Sequence, residues 1–240
     1  MQVEICCNSR ASASAAKEGG AERVELCRAL ECGGLTPSDD DIDYCVRRLG
    51  LRTHVLVRPR AGDFCYSAAE VAEIEESIRR CKALGAAAVV VGFLTPDGKV
   101  DAALTRRMVQ LAAPLEVTFH RAFDEARQEP LEALQVIADC GCTRLLTSGQ
   151  KATAQEGAET LRELRVRSEE SGVTILAGSG VTPDNVRELI ERTGVQEVHG
   201  SCKQRLPDGR VETDAATVQR LIAGCSGYSG TSGRSGTSGE

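Results

Sequence analysis

Two Glu-x-Cys triplets stand in the first tenth or so of the chain, Glu4-Ile5-Cys6 and Glu25-Leu26-Cys27. Each lies in a short run rich in Val, Ile or Leu, where residues two apart share one face of an extended strand. The same alternation pairs Thr118 with His120, Glu197 with His199, and His54 with Leu56 and Arg58. Carboxylates and imidazoles in one phase supply general acids and bases, and arginines beside them hold negative charge. All three histidines of the chain fall in this phase. A lone histidine reads as a satisfied core group, but three at one rim bring a functional site into contention.

These residues need elements that aim them at one place. Strand patterns occur at 2–7, 22–27, 52–58, 87–93, 115–120, 144–147, 173–177 and 196–199. Helical patterns separate them. Thr36 with Pro37 opens one that ends before Gly50, and Ser67 with Glu70 forms a capping box ahead of Val71, Ile74 and Ile78. Asp101 caps the segment through Leu111, and Pro130 opens the segment to Cys140. A sixth helix spans 153–171, Thr182-Pro183 opens a seventh that ends at Gly194, and Thr213 caps an eighth that ends at Gly224. Gly19-Gly20 and Gly85 close two others.

Eight strand–helix units in 240 residues predict a single (β/α)8 TIM barrel over residues 1–225. A doubly wound open sheet is the alternative, but it needs fewer units, and no GxGxxG follows the first strand. The Gly-, Ser- and Thr-rich segment 226–240 is expected to be disordered.

Composition narrows the function classes. Hydrophobic residues make up 41% and charged residues 27% of the chain, ordinary values for a globular protein. The net charge of −6 argues against a nucleic-acid partner. No apolar run is long enough to cross a membrane, and the first residues lack a secretory pattern, so a cytoplasmic location is expected. The 11 cysteines include no CxxC pair and read as reduced, buried thiols.

In five strands one face is apolar while the other carries Glu, Arg, Thr or His. The apolar face suits packing against outer helices, and the polar face points into the barrel, where such groups must pair with each other or with a ligand. One alternative is an ion-pair network alone, with Glu4 and Glu25 balanced by Arg58 or Arg60. Gly178-Ser179-Gly180 after the seventh strand and His199-Gly200-Ser201 after the eighth stand where many barrels bind phosphate, although small residues also serve tight turns.

Beyond the two triplets, several segments stand in a recognisable order: 19–27 (GGAERVELC), 33–38 (GGLTPS), 58–67 (RPRAGDFCYS), 117–124 (VTFHRAFD), 146–149 (LTSG) and 197–199 (EVH). With these the chain resembles the CutC family of copper homeostasis proteins from Glu4 to about Ser201. It departs at 6–9, Cys-Cys-Asn-Ser where the family more often has one Cys then Val-Asp-Ser, and at Ala61, where Gly is common. The resemblance implies a TIM barrel, a cytoplasmic homo-oligomer and an association with copper tolerance. Cys6 and Cys27 match the cysteines proposed in the family to bind Cu(I). Strands about 4.8 Å apart let two thiolates share one ion, and soft thiolates suit Cu(I). Cys65 is a possible third ligand. Glu4 and Glu25 nearby would raise the thiol pKa and oppose metallation, and two ordinary buried cysteines are the alternative.

Three functions follow. The first is a copper-binding protein using Cys6 and Cys27. The second is an enzyme on a small anionic metabolite, phosphorylated compounds included. There Glu25 or His120 serves as acid or base, Arg58, Arg60 and Arg121 hold the anion, and Glu4, Thr118, Thr147, Ser148, Gly178 and His199 complete the pocket. The third, a scaffold using the barrel exterior, ranks last because no helix singles out a partner surface.

Overall fold

The computed structural model describes residues 1–227, so the expected disordered tail lies, from residue 228 on, outside the described residues. Eight parallel strands close into a barrel: β1 (Gln2–Cys7), β2 (Arg23–Leu26), β3 (Arg52–Leu56), β4 (Ala88–Val91), β5 (Glu116–Phe119), β6 (Arg144–Thr147), β7 (Thr174–Ala177) and β8 (Glu197–Gly200). β8 closes onto β1 with Val3 beside Val198 and Glu4 beside His199. Helices alternate with them: α1 (Arg10–Glu18), α2 (Asp39–Asp43, continuing as a wider turn over Tyr44–Arg48), α3 (Ala68–Leu84), α4 (Ala102–Ala112), α5 (Pro130–Asp139), α6 (Ala158–Ser171), α7 (Val186–Thr193) and α8 (Ala215–Cys225). This is the expected (β/α)8 barrel.

The strand residues that face outward, among them Val24, Val55, Val89, Val117, Leu145, Ile175 and Val198, are buried in one apolar cluster. Ile74 and Ile78 of α3, Met108 of α4, Leu134 and Ile137 of α5 and Leu189 of α7 complete that cluster from the helix side. The larger core therefore lies between barrel and helices, and the inward face carries the polar residues together with a small separate apolar cluster of Cys6, Cys27, Leu56 and Val90.

Helix starts follow local hydrogen bonding. The Ser67–Glu70 capping box forms as expected, and Asp101 caps α4 through the Leu104 N–H at 2.9 Å. Other starts shift. Ser38, not Thr36, caps α2, because the Thr36 hydroxyl is drawn into the backbone of Arg58, accepting its N–H at 2.9 Å and donating to its carbonyl at 3.0 Å. α6 begins at Ala158 rather than Thr153, since residues 152–154 pair with the loop after β7: Ala154 N–H donates to Ser179 O at 2.9 Å and Ser179 Oγ to Ala152 O at 2.8 Å. α7 begins at Val186 rather than Pro183, because Asn185 accepts from Thr182 N–H and donates to Gly180 O, holding 180–185 as a loop. Asp214, one residue after Thr213, caps α8.

One feature has no counterpart in the strand pattern. β9 (Lys203–Arg205) and β10 (Val211–Thr213) form an antiparallel hairpin after β8. It docks on the start of α1, where Asn8 donates to Val211 O at 3.1 Å and Ser12 Oγ to Glu212 at 2.6 Å.

Candidate functional site

The barrel interior is built in two tiers. The lower tier begins from residues that open their strands: Arg23, Arg52, Glu116, Arg144 and Glu197. With Glu4 they form a chain of alternating charge. Arg23 Nε lies 2.9 Å from Glu4 Oε2, and both Arg23 and Arg144 hold Glu197, Arg144 Nε at 2.9 Å. Arg144 Nη2 reaches Glu116 Oε2 at 3.1 Å, and Arg52 reaches Glu116 Oε1 at 2.6 Å. Three guanidinium groups thus meet three carboxylates: Arg23, Arg144, Glu4 and Glu197 pair at depth, while Arg52 and Glu116 carry the chain of charge out to partly exposed positions. Thr118 belongs to this tier, accepting from Arg144 Nη1 at 3.4 Å. The expected balance of Glu4 by Arg58 or Arg60 is replaced by Arg23, the residue directly opposite Glu4 in the strand register.

Above this floor, Glu4 and Glu25 face one imidazole. His199 Nδ1 is 3.0 Å from Glu4 Oε1 and 3.7 Å from Glu25 Oε2. His54 Nδ1 lies 2.9 Å from Glu4 Oε2. Burial works against charge on Glu4, but the hydrogen bonds from His199 and His54 outweigh it and hold the carboxyl well below its usual range. Glu25 has no such bonds. Burial, aided by the Glu4 charge and opposed by His199, pushes it up to about 7, and its Oε2 has no hydrogen-bond partner. Burial would depress His199, yet its contacts with Cys6 and Glu4 and the charge of Glu25 raise it well above the usual histidine value. Glu4, Glu25 and His199 bring three donor atoms within 4.8 Å of one another.

Beside that cluster the two cysteines meet. Cys6 Sγ and Cys27 Sγ are 3.9 Å apart, both buried. They share a small apolar cluster with Leu56 and Val90, capped by Leu30. Contact with Cys27, then burial, pushes the Cys6 thiol well up. Cys65 does not join them. It sits in the loop after β3 and packs against the outer core cluster instead.

The remaining predicted residues occupy the loops above the strands. Arg60 is engaged by Glu70 and Asp63 and by the carbonyls of residues 61, 63 and 65, so it braces the loop after β3. Arg58 is buried and donates to the carbonyls of Cys32, Gly34 and Gly62. Arg121 Nε bonds Asp124 Oδ2 at 2.8 Å and its Nη2 reaches Ser148 Oγ at 3.2 Å. Asp124 also takes the hydroxyls of Thr147 and Ser148 and the N–H groups of Ser148 and Gln150, so Thr147 and Ser148 shape the loop after β6. Gly178 is set by close approach: a Cβ there would fall 2.5 Å from Leu146 Cδ1 and 3.4 Å from His199 Cβ. His120 is buried just beyond β5, with its Nδ1 accepting from the Ala122 N–H at 3.1 Å.

Sequence reasoning thus located Glu4, Cys6, Glu25, Cys27 and His199, which the fold brings into one cluster. It missed Arg23, Arg144, Glu116 and Glu197 as partners, although their inward phase was readable from strand alternation. Asp124 lies beyond β5 in a short helical turn, and no periodicity points to it.

Comparison with known proteins agrees with this architecture. The model of the CutC family matches residues 1–204. A family protein CutC from Chromobacterium violaceum is 48% identical over 203 residues, covering 84% of this chain and 81% of its own. One from Bacteroides fragilis is 45% identical over 207 residues, covering 86% and 82%. Among solved structures, a CutC protein from Streptococcus agalactiae, whose name assigns it to copper homeostasis, superposes with a TM-score of 0.79 at 28% identity over 84% of this chain and 98% of that one. Phosphoribosyl anthranilate isomerase from Thermotoga maritima, at 14% identity and a TM-score of 0.63, covers 95% of this chain and all of its own, and shares the fold. By sequence and by structure, the chain belongs to the CutC family.

Proposed function

We propose that this chain serves copper homeostasis by holding Cu(I), as cargo, between the thiolates of Cys6 and Cys27. The 3.9 Å separation of the two sulfurs carries the reading. Two thiolates on one ion with bonds near the zinc–thiolate length of about 2.3 Å span up to about 4.6 Å, and less when the pair is bent, so one ion is within reach of both sulfurs. The donor set fits: thiolates are soft ligands suited to Cu(I), and Leu56, Val90 and Leu30 surround the pair with apolar groups. Two thiolates on one Cu(I) carry a net negative charge, and the His199 imidazolium beside Cys6 offsets it. The Cys6 thiol is protonated before binding, so metallation releases protons. All eleven cysteines are free, which suits a reducing cytoplasm. No helix among the described residues is long and apolar enough to cross a membrane. Self-association, implied by the resemblance, is measurable by sedimentation. The test of the copper reading is an anaerobic Cu(I) titration against bicinchoninate. Tight uptake should be lost in the Cys6→Ser, Cys27→Ser double variant, and equal uptake by both proteins removes this site.

A second reading, an enzyme on a small anionic metabolite, rests on a different observation. Two titratable groups in one cluster are pushed apart, His199 toward the charged form and Glu25 up to about 7, a pattern that separates acid from base in barrel enzymes. Screening small carboxylates and phosphorylated compounds for turnover, with Glu25→Gln as control, tests it. Turnover unaffected by that substitution sinks the assignment of Glu25.

A further inference from the structure

His199 faces two buried carboxylates with a single nitrogen. Its Nδ1 lies 3.0 Å from Glu4 Oε1 and 3.7 Å from Glu25 Oε2. Glu4 is 1% and Glu25 5% exposed. One ring nitrogen carries one proton, and at 3.0 Å that proton serves Glu4. Glu25 Oε2 is left without a hydrogen-bond partner, although it stands over the same nitrogen. A buried polar atom with no partner is costly, so an orphan at this depth points to something that completes it.

The rest of the cluster is arranged as metal ligands are. Glu4 is anchored by its other oxygen, Oε2, which lies 2.9 Å from Arg23 Nε and 2.9 Å from His54 Nδ1. Those partners fix the direction in which Oε1 is presented, as outer-shell groups orient a ligating carboxylate. Register supplies the convergence. Glu4 of β1 stands beside His199 of β8, and Glu25 of β2 stands beside Cys6 of β1, so three neighbouring strands contribute one donor each. The three donor atoms lie within 4.8 Å of one another. In a tetrahedral shell with bonds of about 2.0–2.2 Å to nitrogen and oxygen, donors are about 3.4 Å apart. The 3.0 and 3.7 Å spacings bracket that value. The His199 side chain is 12% exposed, which brings the cluster to solvent and gives an ion a way in.

The donors also select the ion. Two carboxylates and a neutral imidazole carry two negative charges, which match a divalent cation. Mixed nitrogen and oxygen donors suit Zn(II). Calcium takes six or more oxygens and magnesium an octahedral, oxygen-rich shell, neither of which this trio supplies. Soft Cu(I) is better served by thiolates.

We propose that Glu4, Glu25 and His199 form a binding site for a divalent ion of the Zn(II) type, separate from the thiolate pair of Cys6 and Cys27. On binding, the Nδ1 proton of His199 leaves to solvent and Glu25 ligates as the carboxylate. Three protein ligands leave the fourth position open to water or a substrate oxygen, the pattern of a catalytic rather than a structural zinc. The site goes beyond both readings above, since it needs neither the thiolates nor a proton-transfer role for Glu25.

The test uses full-length protein carrying Cys6→Ser and Cys27→Ser, so that the copper site cannot supply the signal. Titrated against a chromophoric chelator, this protein should take up one equivalent of Zn(II). Co(II) as a probe should give the visible bands of a four- or five-coordinate ion with no sulfur charge-transfer band, and Zn(II) should displace it while millimolar Mg(II) should not. In histidine-labelled protein, Zn(II) should remove the Nδ1 proton of His199 and shift that nitrogen. Adding Glu25→Gln should weaken Zn(II) binding at least about tenfold, the least that loss of even an outer-shell partner costs. Urea unfolding of the metal-free protein confirms that this variant is folded. With both cysteines restored, Glu25→Gln should still take up Cu(I), so the copper reading and this site fail separately. No Zn(II) uptake without the two cysteines, a sulfur band on Co(II), an unmoved His199 signal, displacement by Mg(II), or undiminished Zn(II) binding by the folded Glu25→Gln protein would each overturn the proposal. Loss of Cu(I) together with Zn(II) in Glu25→Gln would reveal one shared site and overturn it as well.

Discussion

The imidazole of His199 bridges two buried carboxylates across the seam where β8 meets β1, 3.0 Å from Glu4 and 3.7 Å from Glu25. That relationship sets the charge state of the whole rim. Glu4, held by His199, His54 and Arg23, keeps its charge; Glu25, without a bonded partner, gives its charge up near neutrality.

The histidines should therefore titrate far apart. His199 should remain protonated well above its usual 6.5, while His120 should stay neutral down to about pH 3. A raised histidine contributes stability fully present below pH 6.5 and lost as pH rises through its folded value. Nitrogen NMR across the pH range of folding checks both, and coincident titration of the two rings would contradict the account.

Glu25 should make the metal-free protein less stable as pH rises. The unfolded chain releases this proton near 4.5, the folded chain only near 7. Between those values the unfolded state binds fewer protons, so stability falls with pH. The full gap is on the order of 3 kcal/mol. Glu25→Gln, which mimics the protonated form, should gain that much relative to the wild type between pH 4.5 and 8. Urea unfolding at both pH values measures it, and a constant difference would show that burial does not perturb Glu25.

The ionic floor should behave as a unit. Glu197 serves two buried guanidinium groups, Arg23 and Arg144. Glu197→Ala should cost about 3–5 kcal/mol, the range for stranding buried charge. Glu197→Met with Arg144→Met should cost less than the sum of the two single changes, because paired partners couple. Additive losses would mean that the network contributes little beyond its separate contacts.

How much of this was legible beforehand depended on range. Strand alternation placed Glu4, Cys6, Glu25 and Cys27 on the inward face, and register did the rest, since Cys6 lies opposite Glu25. Partner choice was not legible. Arg58 and Arg60 carry the right charge, but the loop after β3 turns Arg60 to Asp63 and Glu70 and Arg58 to three carbonyls. Helix starts failed where a loop found bonds elsewhere, as Asn185 did with Thr182 and Gly180. The hairpin β9–β10 is polar and rests on a distant contact with α1, so no local pattern announces it.

Copper affinity should rise with pH. Cys6 is held as a thiol, and each proton released on metallation steepens the dependence by about tenfold per pH unit. Competitor titrations at pH 6, 7 and 8 check this, and a flat profile would exclude thiol deprotonation from binding.

The most direct test of the central claim is X-ray absorption at the copper edge on anaerobically loaded protein. The account predicts two sulfur scatterers per Cu(I) in the wild type and their loss in the Cys6→Ser, Cys27→Ser variant. A shell of nitrogen and oxygen alone would contradict it and move the ion to Glu4, Glu25 and His199.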